Sequence, residues 1–301
     1  MSNVIVAGVT QIETIVKVDS FYLDENERLF SAPIYVSAGG DAYDEALALS
    51  WLGDKVTFMS VVGRNQDMGV FNPADSGVRI DTQYMLKKME ETPTEVVFVD
   101  KNWKQKIFED IKNLRDTAYD MNLVSGPISE ADIILLSNAN FCRPFVQAAI
   151  DSGTKIALNL RTYNREKEKY NVDFLSNASI LYLSDDGVDE DPFEFVKNIA
   201  SKYGNDIVIL GQGGTGLILF DKKQNINIHL NAVDTVKVVN TLGAGNALIA
   251  SFVHYYLETG DSVMAIKNAL LCASYKLGYE KTSEGFMTPE QVEHWKKLIW
   301  R

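Results

Sequence analysis

Cysteine is almost missing from this sequence, with Cys142 and Cys272 the two examples in 301 residues. They lie far apart, form no metal-like pair and sit beside apolar residues, which makes them small buried hydrophobes. Histidine is equally scarce. His229, His254 and His294 form no H-E-x-x-H or related cluster, so no zinc site, nor any other protein-built metal site, is expected. Long apolar runs are absent too; none approaches the roughly eighteen residues that a membrane helix requires. The first residues pass straight into Val4-Ile5-Val6-Ala7 without the basic and apolar regions of a signal peptide, so the cytoplasm is the expected compartment. Excess positive charge is also lacking. A formal net charge of −12 argues against nucleic-acid and anionic-membrane partners, which dense Lys and Arg would have to hold. A small anionic ligand needs only a local positive site and stays open.

What is present is an ordinary globular composition, 46% hydrophobic and 23% charged. Short apolar runs alternate with helical patterns. The runs Val4–Ala7, Val56–Val62, Ile133–Leu136, Lys155–Leu160, Ile180–Leu183, Ile207–Leu210, Leu217–Phe220 and Thr235–Val239 are predicted strands. Most are continuous rather than alternating, as in strands covered on both faces. Between them, Ala42–Leu52 reads as a helix that ends at a C′ glycine, Gly53. Asp191-Pro192 opens a helix that ends near Gly204, and Ala247–Glu258 has one apolar face. Thr288-Pro289-Glu290-Gln291 is a capping box. This alternation predicts parallel βαβ units in a doubly wound α/β fold. Two stretches interrupt it, one near 14–36 and one near 94–108, the second reading as an antiparallel hairpin. No composition shift or repeat marks a second domain, so one domain over 1–301 is expected.

Two glycine-rich segments could hold a ligand. Gly211-Gln212-Gly213-Gly214-Thr215-Gly216 fits G-x-G-x-x-G, the dinucleotide-binding spacing of a dehydrogenase. That motif must open a helix, whereas Leu217–Phe220 reads as strand, so a strand-turn-strand connection is the expectation. The glycines could still line a nucleotide, because bare backbone allows close approach. The second segment is Asn240-Thr241-Leu242-Gly243-Ala244-Gly245-Asn246, read as leaving the strand at Thr235–Val239 and entering an amphipathic helix. Free N–H groups at such a helix start can stabilise charge on a phosphoryl group. The same glycines would also serve a bare turn with no ligand.

This second segment resembles the D-T-x-G-A-G-D pattern of the ribokinase-like (PfkB) carbohydrate kinases. Gly39-Gly40 with the following helix, Glu91-Thr92-Pro93-Thr94, Asn159-Leu160-Arg161 and Gly213-Gly214-Thr215-Gly216 are similar to further family features, in family order. The resemblance implies a mostly parallel doubly wound sheet with helices on both faces. It also implies a small β-sheet lid from the two irregular stretches and a homodimer paired through that lid. It implies ATP and Mg2+ as cofactors and a sugar, sugar acid or nucleoside as acceptor. Gly243, Ala244 and Gly245 would form the anion hole. Glu13, Gly39, Gly40, Asp44, Asn159 and Arg161 would meet the acceptor, and Ser184, Gly213, Gly216 and Thr241 the nucleotide.

Departures from the pattern are as informative. The family's last Asp takes the proton from the acceptor hydroxyl; Asn246 stands there, and an amide cannot serve as that base. Asn240 replaces the first Asp, while family asparagines after the glycine pair read Asp41 and Asp44. The usual N-x-x-E near metal and phosphates reads Ser184-Asp185-Asp186-Gly187. Two readings follow: a kinase slowed by a missing base, or a member that binds nucleotide or sugar without transferring phosphate.

Overall fold

The computed structural model describes residues 1–22, 33–72 and 77–300. Thirteen strands and eight α-helices account for most of them. The strands β1 (Asn3–Ala7), β4 (Lys55–Gly63), β5 (Met85–Met89), β8 (Ile133–Ser137), β9 (Lys155–Thr162), β10 (Ile180–Ser184), β11 (Ile207–Gly211), β12 (Leu217–Asp221) and β13 (Ile226–Leu230) form one sheet. Its order is β13-β12-β11-β10-β9-β8-β1-β4-β5. Pairing is parallel from β11 to β5 and antiparallel at β11–β12 and β12–β13. The predicted doubly wound α/β sheet is what the chain forms.

Continuous apolar strands have their reason in the two cores. Val4 and Val6 point to one face of the sheet and Ile5 and Ala7 to the other, as a period of two requires. The helices α1 (Asp41–Trp51), α6 (Ala244–Thr259), α7 (Ser262–Lys276) and α8 (Pro289–Ile299) pack on the first face. On the second lie α2 (Ser125–Glu130), α3 (Arg143–Ser152), α4 (Glu168–Asn177) and α5 (Pro192–Tyr203). With both faces covered, a strand has no polar side to show. The capping box at Thr288 and the Asp191 cap are both formed. Among the described residues no helix is long and apolar enough to cross a membrane.

A second sheet of four strands has the order β3-β2-β6-β7, from β2 (Gln11–Val18), β3 (Ile34–Gly39), β6 (Thr94–Asp100) and β7 (Gln105–Asp110). The expected hairpin near 94–108 is the antiparallel pair β6–β7. The stretch near 14–36 contributes to β2 and β3, while its residues 23–32 lie outside the described ones.

One predicted strand is wrong. Residues Thr235–Val239 run without ladder pairing, and the N–H groups of Val239 and Asn240 both donate to the Leu277 carbonyl. The segment is held against the end of α7 instead, Thr235 bonding Ser274 at 2.9 Å and Val236 lying against Gly278. The sheet edge belongs to β13, whose exposed and polar alternation hid it.

The Gly211–Gly216 run joins β11 to the antiparallel β12 and opens no helix suited to a dinucleotide. Gly216 is held at φ +112°, and a Cβ there would lie 2.0 Å from the Leu230 carbonyl oxygen. Gly216→Val is therefore expected to cost about 2–4 kcal/mol through strain and displaced β13 backbone. Urea unfolding reads this, and a loss below about 0.5 kcal/mol, the range of an inert surface change, would refute the assignment.

Candidate functional site

The site forms where the start of α1, the start of α6 and the ends of β9 and β10 meet the small sheet. Gly243, at φ 75°, is the N-cap residue of α6 and supplies no side-chain cap. Helices α5, α7 and α8 are capped by Asp191, Asp261 and Thr288. The first N–H groups of α6 thus lack a capping side chain and remain available to an anion.

The turn before α6 is held from several sides. Asn240 donates from Nδ2 to the Glu280 carbonyl at 2.7 Å and accepts the Leu242 N–H at 3.1 Å. A carboxylate at this position would lose the donor and face that carbonyl, so the amide has a structural reason. Gln105 Nε2, at the start of β7, donates to Thr241 Oγ1 at 2.7 Å. Gly245 sits against Tyr182, where a Cβ would come within 2.5 Å of the hydroxyl. The buried Lys276 runs beneath Gly243 and donates from Nζ to the Lys281 carbonyl at 2.7 Å. Burial pulls its ammonium down to about 8, against the opposing pull of Asp44 and Glu13.

Across the cavity lies a group of buried carboxylates. Glu13 packs on Gly39, where a Cβ would lie 2.2 Å from its carboxyl carbon, so only glycine fits. Its Oε1 accepts the Gly40 N–H at 2.8 Å and the Gln11 amide at 3.2 Å, and Oε2 accepts from the Thr282 hydroxyl. Burial nonetheless raises its pKa. Asp44 is 1% exposed and burial raises its pKa well above the usual value, with Glu13 adding to the rise. Glu45 is buried and raised in the same way. Asn159 and Asn246 link the last two: Asn159 Nδ2 donates to Glu45 Oε1 at 2.7 Å and to Asn246 Oδ1 at 3.0 Å. Asn246 Nδ2 then donates to Asp44 Oδ2 at 3.2 Å.

Arg161 has φ 65°, a left-handed backbone that aims its guanidinium back over the site. It pairs with Glu109 at 2.9 Å and Asp41 at 3.4 Å, which raise its pKa further. Glu95, on β6, is 4% exposed with Oε2 unpartnered among the described residues. Burial, then the charge of Glu13, pushes it up to about 7.

These residues enclose a cavity of about 250 Å3. Of the predicted site residues, Glu13, Asp44, Asn159, Arg161, Ser184, Thr241, Gly243, Gly245 and Asn246 line it. Gly39, Gly40 and Ala244 are not among the lining residues, though each adjoins one in the chain or in space. Gly213 and Gly216, expected to meet the nucleotide, are not among its lining residues and lie on the β11–β12 turn. Sequence reasoning missed Glu95, Gln105, Tyr182, Thr282 and Lys276. For Lys276 a signal existed, since it ends a nearly uncharged helix of otherwise core-forming residues.

Three comparisons bear on this geometry. The pfkB family carbohydrate kinase profile matches residues 1–289. A ribokinase of Dictyostelium discoideum is 26% identical, over 95% of this chain and 96% of its own length. A deoxyribokinase of Salmonella typhi is 26% identical over 91% of this chain and 92% of its own. In fold, the chain is similar to an Arabidopsis thaliana ribokinase complexed with ribose and ATP, with TM-score 0.78 and 17% identity, covering 97% of this chain and 98% of that one.

The Glu95 environment predicts a pH effect. Its folded pKa, about 7, stands above the unfolded value of 4.5, so its contribution is fully present below pH 4.5 and is lost as pH rises through 7. Glu95→Gln should therefore stabilise the protein at pH 8 by up to roughly 3 kcal/mol and change little at pH 4.5. Melting curves of both proteins at the two pH values test this; an equal shift at both would refute a buried, ionising Glu95.

Proposed function

Because the chain belongs to the pfkB family of carbohydrate kinases, we propose that it transfers the γ-phosphoryl group of ATP to a hydroxyl of a small sugar held in this cavity. One observation carries the reading: the uncapped start of α6 opens on a cavity whose far wall is built of buried hydrogen-bond acceptors. The N–H groups of Ala244 and Gly245 would meet the transferring phosphoryl oxygens, supported by the α6 dipole and the Lys276 charge below. Glu13, fixed by Gly40, Gln11 and Thr282, would accept hydrogen bonds from sugar hydroxyls, and Glu95 would do so from the small sheet. Transfer of this kind depends chiefly on positioning and charge stabilisation.

Magnesium fits the residues that follow β10. Asp185 and Asp186 stand side by side, Asp186 Oδ2 accepts from Ser184 Oγ at 3.0 Å, and burial followed by Asp186 raises the Asp185 pKa. Such oxygen donors suit magnesium shared with phosphates, and among the described residues no cluster cages a metal alone. Bound there, the ion would screen the phosphate charge.

The lining also bears on the acceptor. Arg161 is its cation among the described residues, and Asp41 and Glu109 already neutralise it. A neutral or amine-bearing sugar therefore suits the cavity better than a sugar acid. We further propose that the small sheet acts as a lid and that a second copy covers its outer face. There Val36, Thr14, Val96 and Phe108 form one cross-strand row, with Ile34, Val16 and Phe98 beside it. Val36 and Phe108 are 60% and 53% exposed, a large apolar patch for a lone chain.

A second reading, a binder that transfers nothing, has support in Asn246, whose amide offers no base.

Saturating ATP with magnesium should stabilise the fold, by about 2.7 kcal/mol at a hundred times Kd. Absence of any melting shift at millimolar nucleotide would count against both readings. Transfer should be detectable on at least one of D-ribose, 2-deoxy-D-ribose and D-glucosamine, and weakest on D-gluconate; binding without transfer to any sugar would favour the second reading. For the assembly, Val36→Lys with Phe108→Asp should convert a dimer to monomer in sedimentation, and an unchanged mass would reject the lid pairing.

A further inference from the structure

Asn246 stands beside the anion-binding turn, but both ends of its amide are spent, and the direction of each bond is fixed. The Arg161 N–H can only donate, and it meets Asn159 Oδ1 at 3.0 Å. Asn159 must then turn its amide nitrogen toward Asn246, which presents Oδ1 to it at 3.0 Å. The Asn246 nitrogen is left facing Asp44 Oδ2 at 3.2 Å. The end of this relay is a carboxylate. Asp44 lines the cavity, and its second oxygen, Oδ1, is buried with no partner among the described residues. An unpaired buried acceptor is costly, and a ligand hydroxyl would satisfy it.

We infer that Asp44 is the catalytic carboxylate that takes the acceptor hydroxyl's proton, and that Asn246 is a positioning residue that holds Asp44 Oδ2. This rests on the kinase reading. The hydroxyl oxygen attacks the γ-phosphorus, and the bond from that phosphorus to the β,γ-bridging oxygen breaks. Its electron pair departs on ADP, and the hydroxyl proton passes to Asp44 Oδ1. The groups facing Asp44 suit the task. Burial, Glu13 from β2 and Asp41 from its own helix raise its proton affinity, while Lys276 from α7 and Asn246 from α6 keep the charged form accessible.

The pair also has a reversible geometry. Were the carboxylate at position 246 and the amide at 44, the carboxylate would accept from Asn159 and from the amide at 44, leaving neither bond broken. That makes a swap the test. The parent, Asp44→Asn, Asn246→Asp and the double variant are compared for folding by melting, for ATP binding by calorimetry and for transfer from ATP–magnesium to D-ribose, 2-deoxy-D-ribose and D-glucosamine. Asp44→Asn should lower kcat by about 10²–10⁴-fold with ATP affinity kept. Asn246→Asp alone should gain nothing, because two carboxylates in contact must share a proton. The double variant should recover at least about tenfold over Asp44→Asn, within the range a positioned base supplies. If Asp44→Asn does not fold, the double variant, which keeps the pair's charge, reports the same relation. The assignment is overturned if Asp44→Asn transfers as fast as the parent, or if Asn246→Asp alone gains about 10²-fold. A parent that binds ATP yet transfers to no acceptor defeats the kinase reading and the base together, so the two failures are distinguishable.

Discussion

The ammonium of Lys276, buried beneath the Gly243 turn, is the interaction on which the rest of the site depends. Glu13 and Asp44 are both withdrawn from water, and two bare carboxylates so placed would repel each other and lose their hydration. Lys276 is the cation that draws both toward their charged forms. Its own charge is retained at a cost, which shows in its lowered pKa, and its Nζ is anchored on the Lys281 carbonyl. The loop after α7 therefore carries more than a connection. Thr282 bonds Glu13, Glu280 offers its carbonyl to Asn240, and Leu277 receives the two N–H groups leading into the Gly243 turn.

On the proposed reading, a site for phosphates would have to set positive potential beside these acids, and separating backbone from side chains would allow it. Donors come from the uncapped α6 start, while Glu13 accepts from Gly40, Gln11 and Thr282, and one oxygen each of Asp44 and Glu45 accepts from Asn246 and Asn159. The small sheet is tied to this frame by polar contacts at its rim. Gln105 reaches Thr241, Lys17 reaches the Val239 carbonyl at 3.3 Å and Glu280, and Arg161 meets Glu109. Few apolar residues join the two bodies there; the buried cluster of the small sheet is Ile15, Val97 and Val99, with Leu242 against it. If the small sheet is a lid, as proposed, these are the contacts that opening would exchange for water, each at small cost.

Much of this was legible from residue order. The covered strands show as continuous apolar runs because burial on both faces removes the polar alternation, and the turn at Gly243 shows as small residues before an amphipathic helix. Thr235–Val239 misled because β-branched content reports a preference for extended backbone, not the presence of a partner strand. Its neighbour β13 was overlooked for the opposite reason, an edge strand with mixed polar positions. Glu95 could not be read at all, and Lys276 only as a charge that ends an otherwise core-forming helix. The chemistry of both comes from neighbours supplied by distant segments, which residue order does not name.

The pair Asp44 and Asn246 shows a deeper limit of reading one position at a time. Judged alone, Asn246 is a lost base and Asp44 a helix-start acid favoured by the dipole. Joined at 3.2 Å, they are one hydrogen-bonded unit with one carboxylate, one amide and a single charge. Moving the charge from one partner to the other preserves the count of donors and acceptors and the net charge opposite Lys276. What it would change, on the kinase reading, is which oxygen faces the acceptor. The charge balance of the buried cluster thus constrains the pair more tightly than it constrains either residue, because a second carboxylate would be left uncompensated and a second amide would leave Lys276 facing Glu13 alone.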